Sequence, residues 1–134
     1  MGVVVCRDYV EAVSQARDPK QAILTKVGDL QSVRLLWNFV LVAIYIRPEK
    51  TRGGILRPHE NLMEDLWQGK VGLMLKHGPS AYTDGEYAGQ RVDVGEWCAM
   101  KIQDTWQCEI NGVPCRVLED FRIRMVLDDP NIVF

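Results

Sequence analysis

The most apolar stretch of the chain is residues 39–46, which carry aliphatic or aromatic side chains at both odd and even positions. A strand with one solvated face alternates between apolar and polar residues, so this pattern predicts a strand buried on both faces. Shorter stretches of similar character predict five further strands, at residues 70–76, 96–102, 105–110, 113–118 and 122–127. Asn111-Gly112 separates two of them and predicts a type I′ hairpin, because both central positions of that turn need a positive φ.

The first thirty residues have the spacing of two short helices. Asp8 and Glu11 are separated like an N-cap and the third residue of a helix, which predicts that Asp8 caps the first helix. Asp18-Pro19 predicts the start of a second helix and Gly28 its end. The short strands that follow have no helices between them. This order predicts a mainly β fold: a small antiparallel β-barrel in residues 33–134, preceded by a short helical extension in residues 1–32.

Residues 49–68 form an unusually long connection between two predicted strands. A compact domain seldom keeps so long a connection without using it. Ile55 and Leu56 form an apolar pair directly after Gly53 and Gly54, a pattern that suits capture of a partner. A second set of apolar side chains would share one side of a short helical turn and offer a further partner-binding surface: Leu62, Met63, Leu66 and Trp67. The alternative is a loop that folds back on its own barrel, and spacing alone does not decide between them.

The composition is that of one ordinary globular domain, and it narrows the classes of function. The 134 residues carry a net charge of −2, which argues against a nucleic-acid binder held mainly by phosphate contacts. No apolar run reaches the roughly 20 residues that span a bilayer, and the N-terminal residues lack the pattern of a secretory signal. We therefore predict a cytoplasmic protein that binds neither nucleic acid nor membrane.

The residues that usually carry catalysis are present but lack the necessary spacing. The chain has no glycine-rich phosphate loop, and its four cysteines form no Cys-x-x-Cys pair. Cys98 or Cys115 with His77 would make a thiolate pair, although a cysteine on an apolar strand is more typical of a core residue. Glu119-Asp120 is typical of a turn before the last strand. We predict no catalytic residue, no metal site and no cofactor, and hence a protein that is not an enzyme.

Four motifs follow one another between residues 33 and 127. Residues 33–42 read Val-Arg-Leu-Leu-Trp-Asn-Phe-Val-Leu-Val, and residues 53–58 read Gly-Gly-Ile-Leu-Arg-Pro. Residues 92–96 read Val-Asp-Val-Gly-Glu, and residues 111–123 begin with Asn-Gly and end with Glu-Asp-Phe-Arg-Ile. In this order they resemble the first strand, the mobile loop, a Val-Lys-Val-Gly-Asp turn and the closing stretch of GroES-type co-chaperonins. The collinear order carries the resemblance, since no single motif is decisive.

The resemblance implies a fold and a function. In that family, β-barrel subunits close into a heptameric ring, with first and last strands pairing between neighbours. The ring caps an ATP-driven chaperonin of the GroEL type while a client protein folds inside. The resemblance implies that Gly53 and Gly54 act as a hinge, that Ile55 and Leu56 are the docking anchors, and that Pro58 stiffens the docked turn. A member encoded by a bacteriophage would act in the host cytoplasm.

Three departures from the family pattern support a different interpretation. Arg57 stands where the family has an aliphatic residue, which removes an anchor worth roughly 1.5–3 kcal/mol of burial. The stretch 62–67 is apolar where the family has small polar residues. The stretch 62–67 and the extra residues 1–32 that precede the family's first strand resemble added interaction surfaces. These departures suit a non-enzymatic structural or assembly protein, for example a virion component, that reuses the barrel and contacts other virion proteins through these two segments.

The two interpretations predict different results for a truncated chain. Removing residues 1–30 should destroy the assembly of a structural protein but leave the capping activity of a lid largely unharmed. A third interpretation is a fragment of a zinc-dependent alcohol dehydrogenase, which contains a GroES-like domain. The chain has no paired Cys/His ligands of that type and no nicotinamide-binding domain, so we do not favour it.

Overall fold

The computed structural model describes residues 7–48, 69–87 and 89–133. Two helices come first, α1 (Arg7–Ser14) and α2 (Pro19–Val27). Six strands follow: β1 (Phe39–Ile44), β2 (Val71–His77), β3 (Trp97–Met100), β4 (Trp106–Ile110), β5 (Val113–Glu119) and β6 (Ile123–Leu127). Each strand lies within a few residues of a predicted one, so the mainly β fold with two short helices before it is confirmed.

The six strands form one antiparallel sheet in the order β4-β5-β1-β2-β3-β6. Strand β1 is central, with β5 on one side and β2 on the other. Its Leu41 and Ala43 belong to one hydrophobic cluster, whereas Val40 and Val42 belong to a second cluster on the opposite face. The prediction of a strand buried on both faces is therefore confirmed.

The sheet has two edges. Its hydrogen-bonded order ends at β4 and at β6, and no ladder joins these strands within the described ranges. The predicted closure into a barrel is thus not present there, and the domain is an open sheet. An edge strand offers backbone N–H and C=O groups that can pair with another chain.

Helix α2 begins and ends as the sequence predicts. The Asp18 carboxylate accepts a hydrogen bond from the Gln21 backbone N–H at 3.2 Å, and Pro19 lies in the first turn. Gly28 follows the helix with a φ of 65°, which glycine adopts without side-chain strain. The capping prediction for Asp8 is wrong, because α1 already includes Arg7 and places Asp8 inside its first turn. Neither described helix has the length and apolar character that crossing a membrane requires.

Both helices pack against the sheet. Their buried side chains belong to the same hydrophobic cluster as those of β1 and β5: Tyr9, Val10, Val13, Ile23 and Val27. The Tyr9 hydroxyl donates a hydrogen bond to the Ile44 carbonyl, and the Asn111 side-chain amide donates to the Val27 carbonyl at 2.7 Å. The sequence leaves open whether these helices bind their own sheet or another protein, and the structure places them on their own sheet. The division of the chain at residue 33 stays a prediction.

The β4–β5 hairpin has the turn that the sequence predicts. Asn111 and Gly112 connect the directly paired residues Ile110 and Val113, with φ values of 53° and 80°. Positive φ at both positions is the signature of a type I′ turn. The turn therefore fixes the register of β4 against β5.

Candidate functional site

The predicted binding residues lie outside the described residues. They are the mobile-loop positions Gly53, Gly54, Ile55, Leu56, Arg57 and Pro58, and the second apolar set Leu62, Met63, Leu66 and Trp67. Their roles stay predictions. The structure does describe the flanking residues Pro48 and Gly69. It therefore shows at which end of the sheet the connection 49–68 begins and ends.

Residues 49–68 join two strands that are direct neighbours. Ile44 at the end of β1 pairs with Gly72 near the start of β2, and the Tyr45 N–H donates to the Val71 carbonyl at 3.0 Å. Antiparallel neighbours need a connection of only about two to five residues. The connection therefore leaves and re-enters the sheet at the same end, and it is much longer than joining the strands requires.

The base of this connection is tightly packed. Tyr45 is buried, and its hydroxyl donates a hydrogen bond to the Asn131 side-chain oxygen at 2.6 Å. Its ring meets that of Trp97 edge-on, with the ring centroids 5.0 Å apart. Ile46 is fully buried beside it. These contacts fix where the chain leaves β1.

The structure separates His77 from both cysteines that could have formed a thiolate pair with it. Cys98 is opposite Gly72, five positions before His77 on β2. Cys115 is opposite Ala43, whereas His77 is opposite Val40. Cys98 belongs to the cluster on one face of the sheet, and Cys115 belongs to the helix-covered cluster on the other. The His77 ring packs edge-on against that of Tyr82, with centroids 5.6 Å apart. Within the described ranges, no group of three His, Cys, Asp or Glu residues is arranged to hold a metal ion. Cys98 and Cys115 are therefore best understood as core residues.

Cys98 is expected to react slowly with thiol reagents in the folded protein. Its sulfur donates to the Gly72 carbonyl at 3.5 Å, and burial, with a smaller contribution from the charge of Glu96, raises its pKa to about 12. Because the thiolate is the reactive form, alkylation of Cys98 near pH 8 should be at least about 100-fold slower in buffer than in denaturant. Peptide mass spectrometry after timed alkylation measures both rates. Equal rates would show that Cys98 is accessible and not a core residue.

A buried carboxylate joins three parts of the chain. Asp120 is 1% exposed and opens the short 3₁₀ helix Asp120–Arg122 before β6, where the sequence predicts a turn. Its carboxylate accepts hydrogen bonds from the Asn38 side-chain amide at 3.0 Å and from the Tyr82 N–H at 2.8 Å. Its N–H donates to the Asn38 carbonyl, and its carbonyl accepts from the Tyr82 hydroxyl, both at 3.0 Å. Asp120 is therefore a structural hub that the sequence analysis missed.

An apolar groove of about 580 Å³ lies beside the edge strand β4, on the helix-covered face of the sheet. Trp37 and Trp106 flank it and are 66% and 68% exposed. Apolar side chains of β1, β4 and β5 line its floor. Exposed tryptophans beside an apolar floor are typical of an interaction surface. We call this surface the tryptophan groove.

The position of Trp37 is fixed by the turn that follows β2. Trp37 has a φ of 50°, a region that bulky residues seldom occupy. The Ser80 N–H donates to the Trp37 carbonyl at 2.9 Å, and the Gly78 N–H donates to the Phe39 carbonyl at 2.7 Å. A Cβ at Gly78 would lie 2.4 Å from the Trp37 oxygen, so only glycine allows this close approach. The backbone contacts of the turn after β2 therefore determine where Trp37 lies at the groove.

The other edge strand, β6, also exposes apolar side chains. Met125 and Val126 are adjacent, point to opposite faces of the sheet, and are 47% and 46% exposed. Arg124 is also exposed, and it lies at a register shift of the β3–β6 ladder. The sequence predicts β6 as a strand, but its hydrophobic pattern does not show whether the strand lies at an edge or in the interior of the sheet. Both edges of the sheet thus carry exposed apolar residues.

Comparisons with family models and with curated proteins give no match for this chain.

Proposed function

We propose that this protein is a co-chaperonin: a ring of identical subunits that caps an ATP-driven chaperonin of the GroEL type and helps to enclose folding clients. The observation that carries the proposal is the connection 49–68, which emerges from a tightly packed base at one end of the sheet. A binding loop of this kind needs length for reach and a fixed origin for alignment with its partner. The collinear motifs add support, because 53–58 fall within this connection.

The proposed docking residues have separate roles. Gly53 and Gly54 provide the backbone freedom for the loop to adopt its docked shape, and Pro58 limits the conformations that the loop loses on binding. Ile55 and Leu56 bury apolar surface in the chaperonin. Arg57 contributes a cation in place of a third apolar anchor, which lowers the affinity of each loop. Several loops in one ring compensate through multivalency.

The ring needs a joint other than the one that the resemblance implies. The strand that resembles the family's first strand is β1, and β1 is paired on both sides within its own sheet. It therefore has no free edge for the last strand of a neighbour. Among the described strands, those at the edges of the sheet, which a neighbouring copy can reach, are β4 and β6.

Replacing Ile55 by Asp is expected to abolish chaperonin binding without changing the oligomer. Native mass spectrometry of the full chain, alone and with a tetradecameric chaperonin plus ATP, reports both quantities in one experiment. We expect the wild type to add to the chaperonin only with nucleotide. Ile55→Asp should remove this binding, because every loop of the ring loses an anchor of roughly 1.5–3 kcal/mol. Thr51→Asp adds the same charge outside the apolar pair and should bind like the wild type.

The same experiment tests the alternative function. Equal binding by wild type and Ile55→Asp would remove the docking role from this segment. An oligomer that does not bind the chaperonin in the presence of ATP would favour the alternative function, a structural or assembly protein such as a virion component. The search for partners would then turn to Leu62, Met63, Leu66 and Trp67.

A further inference from the structure

We propose that the copies of this chain join head to tail, with strand β6 of one copy adding to strand β4 of the next and Met125 entering the tryptophan groove. The joint rests on the proposed function only in requiring a homo-oligomer, and it does not depend on chaperonin binding. It assigns a partner to each edge of the sheet. The occupant of the groove is thus a second copy of this chain.

Strand direction favours this joint. Neighbouring strands alternate in direction throughout the antiparallel sheet, and the sheet has six strands, so β4 and β6 run in opposite directions. A second copy in the same orientation therefore brings its β6 antiparallel to β4. The ladder can continue from one copy into the next without inverting either copy, which is the head-to-tail relation that closed rings use.

The faces of the two edge strands also match. Cys108 and Ile110 of β4 pack against the helix-covered cluster, and so does Leu127 of β6. Side chains two positions apart share a face, so Met125 points the same way as Leu127. In the joined sheet Met125 therefore lies on the same face as Cys108 and the tryptophan groove. The proposed register sets Met125 opposite or diagonal to Cys108, where its exposed side chain becomes buried.

Charge favours pairing of unlike edges. The charged residue of β4 is Glu109, and the charged residue of β6 is Arg124. Glu109 contributes to the lining of the tryptophan groove, and Arg124 lies at a register shift of the β3–β6 ladder, between Ile123 and Met125. A β6–β6 joint would bring two copies of Arg124 together. A β4–β4 joint would leave Met125 and Val126 uncovered, whereas the head-to-tail joint covers both edges with one contact.

Site-directed crosslinking tests the joint. The full chain carries Cys6→Ser and Met125→Cys and keeps the half-buried Cys108, while Cys98 and Cys115 are buried. A short bismaleimide of about 8 Å bridges directly opposed and diagonal neighbours on two strands. We expect a covalent dimer whose peptide map links position 125 of one copy to Cys108 of another. Adding Cys108→Ser should remove it.

Two controls make the outcome decisive. Val126→Cys places the thiol on the opposite face of the same strand and should crosslink to Cys108 with at most about a tenth of the yield. Met125→Asp should dissociate the oligomer in native mass spectrometry, whereas Val94→Asp, at an exposed turn position outside both edge strands, should not. Links between two Cys108 residues, between two residues 125, or a monomeric wild type would each overturn the proposal. Nucleotide-dependent chaperonin binding that survives such a result would leave the proposed function in place.

Discussion

Removal of residues 1–30 is expected to yield a chain that does not fold. The deletion takes away α1 and α2, whose five buried apolar side chains cover one face of the sheet. Each such side chain contributes roughly 1.5–3 kcal/mol by burial, and the free energy of unfolding of a whole domain is about 5–15 kcal/mol. Near-UV circular dichroism and thermal unfolding should show no fixed tertiary structure and no cooperative transition.

A pair of neighbouring substitutions in α2 provides a matched control. Ile23 is fully buried and Leu24 is 38% exposed. Ile23→Asp should prevent folding or lower the melting temperature steeply, whereas Leu24→Asp should fold and lower the melting temperature far less. A truncated chain with a native spectrum and a cooperative transition would show that the helices do not complete the core.

Because residues 1–30 are needed for folding, their deletion cannot distinguish a chaperonin lid from a structural protein. From the sequence alone, loss of residues 1–30 separates a lid from a structural protein, because only the latter needs them for assembly. In the structure the helices complete the hydrophobic core, so both kinds of protein would lose function with their fold. The Ile55→Asp experiment is the one that separates the two.

Asp120→Ala is expected to lower the free energy of unfolding by about 3 kcal/mol or more. The substitution leaves the half-buried Asn38 side-chain amide and the half-buried Tyr82 N–H without their acceptor, and a hydrogen bond to a carboxylate contributes about 1.5–3 kcal/mol. Asp120→Asn keeps one acceptor oxygen and should lose less. Urea unfolding followed by fluorescence measures the difference, and the tryptophans provide the signal.

Asp128→Ala serves as the control, because Asp128 is an exposed carboxylate just after β6, the strand that follows the helix of Asp120. It should change the free energy of unfolding by less than about 0.5 kcal/mol. An Asp120→Ala variant as stable as this control would mean that Asp120 does not hold the three segments together.

The local features of the fold are readable from the sequence. The six strands, the Asp18 cap and the Asn111-Gly112 turn depend on residues that are neighbours in the chain, and all of them are confirmed. The order of the strands is not readable in this way, since an edge strand and an inner strand share one pattern. The contact between Asn38 and Asp120 spans 82 positions and leaves no local signal.

The two candidate binding surfaces differ in the same way: one is a local motif in the sequence and the other forms only in the fold. The apolar pair Ile55-Leu56 is visible as a motif, and its role stays a prediction. The tryptophan groove has no motif at all. Trp37 and Trp106 lie on different segments and come together only because β5 places β4 near the start of β1. Trp37 also needs a left-handed backbone that nothing in its neighbourhood indicates, because the hydrogen bonds that hold it come from the turn after β2.

The central place of β1 sets the order of events during synthesis. Its two partners, Val71–His77 and Val113–Glu119, are made long after Phe39–Ile44 leaves the ribosome, so its full pairing has to wait for most of the chain. Contacts between such distant segments slow folding, and the unpaired strand meanwhile exposes its most apolar residues on both faces. A nascent chain of this protein is therefore itself prone to aggregate and a candidate for chaperone protection until β5 has been made.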